Sequence, residues 1–339
     1  MRAAFLPRPA PVESAPLVVG ERPTPMPGPD EVRIRVHACA VCHTDLHVVE
    51  GDLPPHRAPV IPGHQIVGIV EEAGQAVEQP RVGTRVGVTW LAWACGECDA
   101  CRRGEENLCP RAQFTGYDRD GGFAERVVAR AAFVLPLPPR FADIDAAPLL
   151  CAGVIGYRAL RIAGVQPGEW VGLFGFGASA HLAIQILRHW GCEAGVVTRG
   201  AHHRALAESL GAIWVSELGA APPRPFDRAI VFAPSGRVVT AALEAVRPGG
   251  TVAINAVTLD EIPAMPYAAL YGERVLRTVT NLTRRDAVEF LAIAAAIPVR
   301  AQIELFPLED ANKVLLRLKR GALRAAAVLR LANAATSSI

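Results

Sequence analysis

The second half of the chain alternates strand-like and helix-like segments, a pattern that few folds accommodate. From about Gly168, short apolar runs at residues 170–174, 194–198, 228–232 and 250–256 predict strands, and amphipathic segments at 178–190 and 202–210 predict helices. A strand, a glycine turn and a helix in repetition build a parallel sheet covered by helices. We therefore expect a doubly wound α/β domain here.

The first half follows a different pattern. Up to about residue 148, short β-like runs broken by Gly and Pro occupy residues 32–37, 65–71, 85–89 and 122–128. After Thr283 the sequence predicts a helix at 286–295, a strand at 301–305 and a closing helix at 308–319. A chain of 339 residues has room for about two domains. We predict an irregular β domain from residues 1–150 and 285–339, and a cofactor domain from 151–284, with the active site in the cleft between them.

Composition narrows the classes of function. The chain carries 35 Lys and Arg against 33 Asp and Glu, a net charge of +2, with 51% hydrophobic and 20% charged residues. These values argue against disorder and against a polybasic nucleic-acid surface. The N-terminus lacks an apolar targeting core, and no run approaches the roughly 18 apolar residues of a membrane helix. We therefore expect a cytoplasmic protein without a membrane or nucleic-acid partner, whose eight cysteines are thiols or metal ligands.

Four cysteines lie within fifteen positions of a loop rich in Gly, Arg and Glu, namely Cys95, Cys98, Cys101 and Cys109. Thiolates separated by two intervening residues can share one ion, and four of them saturate a tetrahedral Zn²⁺. The spacing predicts a structural zinc site. The alternative is a set of unmetallated or oxidised thiols.

A glycine turn follows the first strand of the α/β domain and opens a helix. In the sequence Gly-Phe-Gly-Ala-Ser-Ala, Gly175 would make the tight turn, Gly177 would let the backbone approach a pyrophosphate, and Ala180 would permit close packing of helix on strand. The predicted dinucleotide contacts are Gly175, Phe176, Gly177, Ala178, Ser179 and Ala180. The alternative is a glycine turn without a ligand.

The end of the second strand bears on the choice of coenzyme. An acid at this point would bind the ribose 2′-hydroxyl of NAD, but the strand ends in Thr198 and Arg199, with Arg204 close behind. Guanidinium groups match a 2′-phosphate, so the sequence favours NADP(H) over NAD(H). Alternatively, these arginines form a solvated face.

A second group of potential metal ligands is spread along the chain. Cys-His-Thr-Asp-Leu-His occupies residues 42–47, Gly-His-Gln residues 63–65, and Cys-Ala-Gly-Val-Ile-Gly-Tyr residues 151–157. With these motifs in this order, the chain resembles the zinc-dependent alcohol dehydrogenases of the medium-chain dehydrogenase/reductase superfamily over essentially its whole length. The residues at 151–157 and Asn-Leu-Thr-Arg at 281–284 resemble the bacterial branch. The resemblance implies a GroES-like β domain beside a Rossmann domain.

The resemblance also implies roles for individual residues. Cys42, His64 and Cys151 would hold a catalytic zinc with one open position, and two thiolates would offset the charge of an ion that still acidifies an alcohol. Thr44 would take the alcohol proton and pass it through the cofactor ribose to His47.

Further implied roles concern residues around this centre. Asp45 would accept a hydrogen bond from the N–H of His64 that does not face the ion. Gln65 replaces the glutamate usual in the family, and because a neutral amide cannot ligate the metal as a carboxylate can, ligand exchange at the ion would differ. The implied cofactor contacts outside the glycine turn are His43 at the pyrophosphate, Ile155 at the nicotinamide ring, and Asn281 and Arg284 in a late turn. For that turn, an ordinary loop before a helix is an equal alternative.

The function that these motifs imply is reversible oxidation of primary, or secondary, alcohols to aldehydes or ketones. The expected apolar substrate wall consists of Leu53, Trp90, Leu91 and Trp93, with Tyr117 as an outlying member. Self-association into a homodimer or homotetramer is expected by resemblance only, and Cys39 and Cys192 are expected to be buried thiols. The alternatives are a zinc-free NADPH quinone or enoyl reductase, and a non-catalytic zinc-stabilised nucleotide-binding protein.

Overall fold

A computed structural model describes residues 1–297, 299–323 and 326–331. The chain forms two compact units, the first from Met1–Cys151, Asn281–Ala292 and the segment from Ala301 onward, the second from Ala152–Thr280 and Ile293–Arg300. The boundaries differ from the sequence prediction in that Cys151 and residues 281–284 belong to the first unit and Ile293–Arg300 to the second. The predicted tail at 285–339 includes residue 298, residues 324–325 and residues 332–339, which lie outside the described residues.

The secondary structure follows the chain in three stretches. Before the second unit the strands and helices are β1 (Arg2–Phe5), β2 (Val18–Glu21), β3 (Glu31–Val41), α1 (His43–Glu50), β4 (Gln65–Ala73), β5 (Arg85–Val88), β6 (Leu91–Trp93), α2 (Asp99–Arg102), β7 (Gln113–Phe114), β8 (Arg126–Arg130), β9 (Val134–Pro136) and α3 (Asp143–Ala146). Next come α4 (Ala152–Ala163), β10 (Trp170–Phe174), α5 (Ala178–His189), β11 (Glu193–Val197), α6 (Ala201–Ser209), β12 (Trp214–Ser216), β13 (Phe226–Val231), α7 (Gly236–Ala245), β14 (Val246–Ile254), α8 (Tyr267–Leu270) and β15 (Val275–Thr278). The chain closes with α9 (Arg284–Ala296), β16 (Ile303–Pro307), α10 (Ala311–Lys319) and β17 (Ala326–Arg330).

The second unit contains the predicted parallel sheet. Its six strands have the order β12-β11-β10-β13-β14-β15, and every neighbouring pair is parallel. All five residues of β10 are buried, as expected of a central strand with helices on both faces. Counted along the unit, this is strand order 3-2-1-4-5-6, which places ligands at the carboxyl ends of the strands, where the order reverses at β10.

The first unit is built on a mostly antiparallel sheet of seven strands. The order is β16-β17-β3-β4-β5-β9, with β8 paired to the first part of β3. The long strand β3 pairs with β4 so that Ala40 lies opposite Gln65. This register brings the end of β3 and the start of β4 to the same edge, where Cys42 and His64 lie.

Several predicted boundaries shift, and one strand is displaced. The segment predicted at 122–128 begins its strand only at Arg126, because the backbone N–H groups of Gly122 and Phe123 donate to the carbonyls of Gly63 and Pro62, at 2.8 and 2.9 Å, outside the sheet. The closing helix begins at Ala311 after a 3-10 turn at Leu308–Asp310. The α/β class is confirmed.

Among the residues that the structure describes, one continuous helical stretch is long and apolar enough to cross a membrane, judged by length and composition alone. It spans Asp143–Ala163, and 72% of its most apolar window is buried within the protein. Burial of this extent is typical of a core helix in a folded domain.

Candidate active site

Three potential metal ligands from distant parts of the sequence meet in the first unit. The ligand atoms of Cys42, His64 and Cys151 all lie within 4.8 Å of one another, and Cys42 Sγ is 3.4 Å from His64 Nε2. Cys42 directly follows β3, His64 directly precedes β4, and Cys151 directly precedes α4. The antiparallel pairing of β3 with β4 explains why residues 22 positions apart are neighbours.

A buried carboxylate orients this group. Asp45 Oδ1 lies 2.9 Å from His64 Nδ1, which leaves Nε2 on the side of the two thiols. The same carboxylate accepts hydrogen bonds from the backbone N–H of Cys42 at 2.9 Å and of Gly63 at 3.2 Å. Asp45 thus holds both ligand-bearing segments and fixes the imidazole orientation, as a partner behind a metal ligand does.

Burial and proximity split the pKa values of the two thiols. A hydrogen bond with Cys151 holds the pKa of Cys42 well below its usual value, against the effect of burial. The same hydrogen bond, together with burial and the charge of Cys42, raises the pKa of Cys151 well above its usual value. Although burial opposes the charge of His64, Asp45 and Cys42 raise its pKa to about 10. These shifts favour a thiolate at Cys42 and an imidazolium at His64, and the imidazolium would have to release its proton to bind a metal ion.

Gly63 is required by the local backbone. Its φ is +98°, and a Cβ at this position would lie 2.5 Å from Phe123 Cδ1 and 2.9 Å from Cys39 Sγ. Any larger residue here would require Phe123 and Cys39 to shift. Cys39 is fully buried, and Cys192 is 7% exposed, in agreement with their predicted character.

The first turn of α1 carries the residues predicted to contact cofactor and substrate. His43 is exposed and Thr44 is half-buried, and both lie beside Cys42. His47 lies one turn further on, and its Nδ1 is 2.7 Å from Asp52 Oδ2. The sequence analysis did not single out Asp52, although a carboxylate five residues after a histidine at a helix end is a detectable signal.

The four-cysteine loop also forms a compact ligand set. The sulfur atoms of Cys95, Cys98, Cys101 and Cys109 all lie within 4.8 Å of one another. Backbone N–H groups point at these sulfurs, with Cys98 N 3.3 Å from Cys95 Sγ and Cys95 N 3.5 Å from Cys109 Sγ. A hydrogen bond from the backbone of Glu97 lowers the pKa of Cys95 to about 6, although burial opposes this. The arrangement fits a closed four-thiolate site.

Of the predicted substrate wall, Trp90 lies closest to the ligand group. Its ring meets the His64 imidazole edge-on at 5.0 Å and stacks with Phe114 at 5.1 Å and with Tyr117 at 6.0 Å. Leu91, by contrast, is fully buried and pairs with Phe114, which is a core position.

The other two members of the predicted wall are partly exposed. Trp93 packs under the Arg130 guanidinium at 5.7 Å, and Leu53 packs against the core of the first unit. Trp90 thus contacts a metal-ligating residue, and a lining role for Trp93 and Leu53 stays a prediction.

The glycine turn of the second unit has the predicted context between β10 and α5. Gly175 has a φ of +95°, and a Cβ there would lie 2.9 Å from the backbone N of Ala233. Gly177, in contrast, has nothing within 4 Å of an added Cβ. Packing within the described part of the protein therefore does not require glycine here, and the space beside it is open to a ligand.

A buried histidine lies next to this turn. His181 is 1% exposed, its Nδ1 lies 3.3 Å from the Gly177 carbonyl, and its Nε2 has no hydrogen-bond partner in the described part of the chain. Burial lowers its pKa to about 4, so the imidazole is neutral at pH 7. The sequence analysis did not identify His181.

At the end of β11 the structure adds a carboxylate that the sequence analysis did not expect. Arg204 Nη1 donates to the carbonyl of Arg199 at 2.7 Å, to that of Thr198 at 3.3 Å, and to Glu217 Oε1 at 2.6 Å. Glu217 follows β12, which pairs with β11, so the two strand ends are adjacent. Arg204 therefore supports the turn, and Arg199 is the exposed cation.

The late turn differs from the prediction. Arg284, expected at the cofactor, forms an ion pair with Glu106 at 2.8 Å and lies 4.3 Å over the Phe133 ring. Asn281 has a φ of +52° just before this helix start. These contacts support the alternative, a loop that starts a helix, because the Arg284 side chain is already engaged within the first unit.

Two remaining residues lie as follows. Ile155 is half-buried on α4, four residues after Cys151. Gln65 is 1% exposed, and its Oε1 has no hydrogen-bond partner in the regions that the structure describes. A buried amide without a partner next to a ligand histidine is costly unless a further group satisfies it.

Comparison with known proteins assigns the chain to a family. Residues 28–139 match the family described as the alcohol dehydrogenase GroES-like domain. The chain is 47% identical over 329 residues to a probable alcohol dehydrogenase, AdhA, of Mycobacterium tuberculosis (strain CDC 1551 / Oshkosh), covering 95% of each chain. It is 38% identical over 330 residues to an alcohol dehydrogenase of Geobacillus stearothermophilus, covering 93% of this chain and 96% of that one.

The solved structures agree with this assignment. The cinnamyl alcohol dehydrogenase SbCAD4 of Sorghum bicolor superposes with a TM-score of 0.89 at 26% identity, covering 100% of this chain and 99% of the other. These similarities favour an alcohol dehydrogenase over both the zinc-free reductase and the non-catalytic alternative. The chain belongs to the zinc-type alcohol dehydrogenases of the medium-chain dehydrogenase/reductase superfamily.

Proposed function

We propose that this alcohol dehydrogenase oxidises primary alcohols reversibly to aldehydes, with two zinc ions per chain and with NADP(H) as the favoured coenzyme. The observation that carries the proposal is the convergence of Cys42, His64 and Cys151, whose ligand atoms lie within 4.8 Å of one another. Four thiols form the second site, in which the ion would have a structural role.

The donor set at residues 42, 64 and 151 fits zinc. Two thiolates and one imidazole are borderline-soft ligands that suit Zn²⁺, and Asp45 fixes the imidazole that would bind it. Within the described residues the group has three members, one fewer than tetrahedral coordination requires. When bound, the zinc would supply Lewis acidity that lowers the pKa of an alcohol, and the nicotinamide would accept a hydride.

The residues of α1 supply the proton path in this proposal. Thr44 and His47 are three positions apart on one helix and therefore share a face. Asp52 Oδ2 lies 2.7 Å from His47 Nδ1 and so fixes the orientation of the imidazole on this face of the helix. Thr44 would hold the proton of the alcohol, and His47 would release it to solvent.

Three features of the second unit support a dinucleotide coenzyme. The open space at Gly177 and the backbone N–H groups at the start of α5 suit a pyrophosphate, and the unpartnered Nε2 of His181 adds a buried polar group nearby. We assign the 2′-phosphate of NADP(H) to Arg199, with Arg204 and Thr198 holding the turn. Glu217 favours NAD(H) instead, because its negative charge opposes a phosphate.

Some coenzyme contacts rest on the resemblance alone. We propose that His43 contacts the pyrophosphate and that Ile155 faces the nicotinamide. Asn281 is retained as a candidate through its backbone, whereas Arg284 is not. We further propose a homodimer or homotetramer that acts in the cytoplasm, and light scattering of the purified protein measures the oligomeric state.

The substrate class follows from the aromatic residues at the site. Trp90, backed by Phe114 and Tyr117, gives an apolar wall beside His64. Such a wall favours alkyl or aryl primary alcohols, and because one methylene changes discrimination by only about 1–3 kcal/mol, several chain lengths should be accepted. The physiological alcohol is one of this class.

The direct test is turnover monitored at 340 nm with a series of primary alcohols and each coenzyme, before and after treatment with a zinc chelator. The proposal expects coenzyme reduction that chelation abolishes and added zinc restores. Turnover that persists after complete removal of both ions would refute it.

A further inference from the structure

A dense set of hydrogen bonds joins Glu106 to Arg284, residues 178 positions apart. Glu106 Oε1 accepts from the backbone N–H of Arg284 at 2.6 Å, and Oε2 accepts from Nε at 3.0 Å and from Nη2 at 2.8 Å. The Glu106 side chain is only 12% exposed. A two-pronged, partly buried guanidinium–carboxylate pair with an added backbone donor is among the stronger ionic contacts.

The two partners belong to elements with different tasks. Glu106 begins the 3-10 turn at Glu106–Leu108 that ends at Cys109, inside the four-cysteine loop. Arg284 is the first residue of α9. This helix begins in the first unit, through Ala292, and its residues from Ile293 belong to the second unit.

The four-cysteine loop has little core of its own. Helix α2 has no buried residue, and Leu108 is 51% exposed. Because apolar burial is small, the shape of this loop depends on its ligand set, and metal binding supplies folding free energy to such loops. The position of Glu106 therefore depends on whether the four thiols are joined.

The start of α9 has further contacts on the other side of Arg284. Arg284 lies over Phe133 and donates to the carbonyl of Ala132 at 3.1 Å, and Thr283 and Asp286 cap each other, with the hydroxyl 2.6 Å from the carboxylate. This local cap satisfies the helix start within its own turn. Glu106 supplies the connection to the cysteine loop, and its negative charge suits the positive end of the helix.

We propose that Glu106 is a positioning residue through which the four-cysteine loop holds the start of α9, the helix on which the chain passes from one unit to the other. The loop then has a role beyond its own stability. Zinc binding by the four thiols orders residues 281–287. The proposal rests on the proposed function in one respect, the assignment of zinc to the four thiols.

The test is hydrogen exchange, measured by mass spectrometry on peptides covering residues 281–290 of the full chain, with zinc content measured on the same samples. The variants are Glu106→Gln, Cys101→Ser and the double variant. The matched control is Glu105→Gln, which alters the neighbouring carboxylate that pairs with Arg103 instead.

We expect Glu106→Gln to keep both zinc ions and to raise exchange at the start of α9 about tenfold, as loss of a charged hydrogen bond implies. Cys101→Ser should lose one ion and raise exchange to the same extent. The double variant should exchange no faster than either single variant, because both act through one contact. Glu106→Asp should restore part of the protection.

The proposal is overturned if Glu106→Gln exchanges within twofold of the wild type, or if the two single effects add. It is also overturned if Glu106→Gln loses zinc, since Glu106 would then stabilise the four-cysteine loop and not the start of the helix. A wild type that holds fewer than two ions would refute the proposed metal content, while the Glu106→Gln result would still test the contact itself.

Discussion

The carboxylate of Asp45 lies 2.9 Å from Nδ1 of His64, and both side chains are buried, at 1% and 0% exposed. The same carboxylate accepts hydrogen bonds from the backbones of Cys42 and Gly63. One side chain thereby holds the segment that follows β3 and the segment that precedes β4. It also selects the ring nitrogen of His64 that faces the thiols. Asp45 therefore supports the metal-binding group through contacts made by the protein alone.

Replacing this carboxylate by an amide should weaken the site without removing a ligand. We expect Asp45→Asn to lower the zinc affinity of the site by about 10–100-fold, because the imidazole loses both its orientation and its anionic partner. Competition with a chromophoric chelator measures this affinity. Asp52→Asn, which alters the partner of His47, should leave zinc affinity unchanged, and equal affinities for Asp45→Asn and wild type would contradict the role of Asp45.

The two glycines of the dinucleotide turn should respond differently to alanine. Gly175→Ala should lower the free energy of unfolding by about 1–3 kcal/mol, because its φ is +95° and its Cβ would meet the backbone of Ala233. Gly177→Ala should have the same free energy of unfolding as the wild type, because the added Cβ meets no atom of the described residues within 4 Å. It should nevertheless raise the KM for coenzyme at least about tenfold, because the methyl group would occupy the space of the pyrophosphate.

Denaturant unfolding and coenzyme kinetics on the same preparations separate the two effects. A Gly177→Ala variant that binds coenzyme as tightly as the wild type would mean that the open space at this turn is not the pyrophosphate site.

His181 should make the protein less stable in mild acid. Burial lowers its pKa to about 4 from an unfolded value of 6.5, so the unfolded state binds the extra proton as the pH falls through 6.5. The stability that this neutral histidine contributes is full above pH 6.5 and is lost progressively down to about pH 4. Between pH 7 and pH 5 the loss amounts to about 2 kcal/mol.

Urea unfolding at the two pH values isolates this contribution when the wild type is compared with His181→Gln, which should lose about 2 kcal/mol less on acidification. His189→Gln, an exposed histidine at the end of the same helix, is the control and should behave like the wild type. An identical pH dependence in His181→Gln and wild type would show that residue 181 does not titrate in this range.

Coenzyme preference should change at the end of β11. Thr198→Asp should move the ratio of kcat/KM values toward NAD(H) at least about tenfold, because a carboxylate there binds a ribose hydroxyl and repels a phosphate. Arg199→Ala should lower kcat/KM for NADP(H) alone. The control is Arg320→Ala, which removes an exposed arginine at the end of α10 in the first unit and should leave both kcat/KM values unchanged. A wild-type preference for NAD(H) above tenfold would contradict the assignment of Arg199.

Patterns that lie close together in the sequence predicted most of the fold. The strand, glycine turn and helix at residues 170–189 are local, since their apolar period and the glycines at 175 and 177 act within twenty residues. The β segment at 122–128 was partly wrong because the backbone N–H groups of Gly122 and Phe123 donate to the carbonyls of residues 63 and 62. Sequence periodicity does not predict hydrogen bonds between such distant residues.

The limits of the site prediction have the same origin. Residues 42, 64 and 151 were identified through the motifs of a family, because nothing local requires a cysteine 87 residues after a histidine. Arg284 was assigned to the coenzyme through the family resemblance, and no local signal predicts its contact with Glu106, which is 178 positions away. Glu217 was overlooked because it reaches Arg204 only through the pairing of β11 with β12.

The most direct test of the account is the zinc content of Cys151→Ala, measured by mass spectrometry under native conditions together with turnover at 340 nm. The account predicts two ions per chain in the wild type, one in Cys151→Ala with turnover abolished, and two ions with full turnover in Cys192→Ala, which removes a thiol that belongs to neither cluster. A Cys151→Ala enzyme that keeps two ions, or that still oxidises alcohols at the wild-type rate, would contradict it.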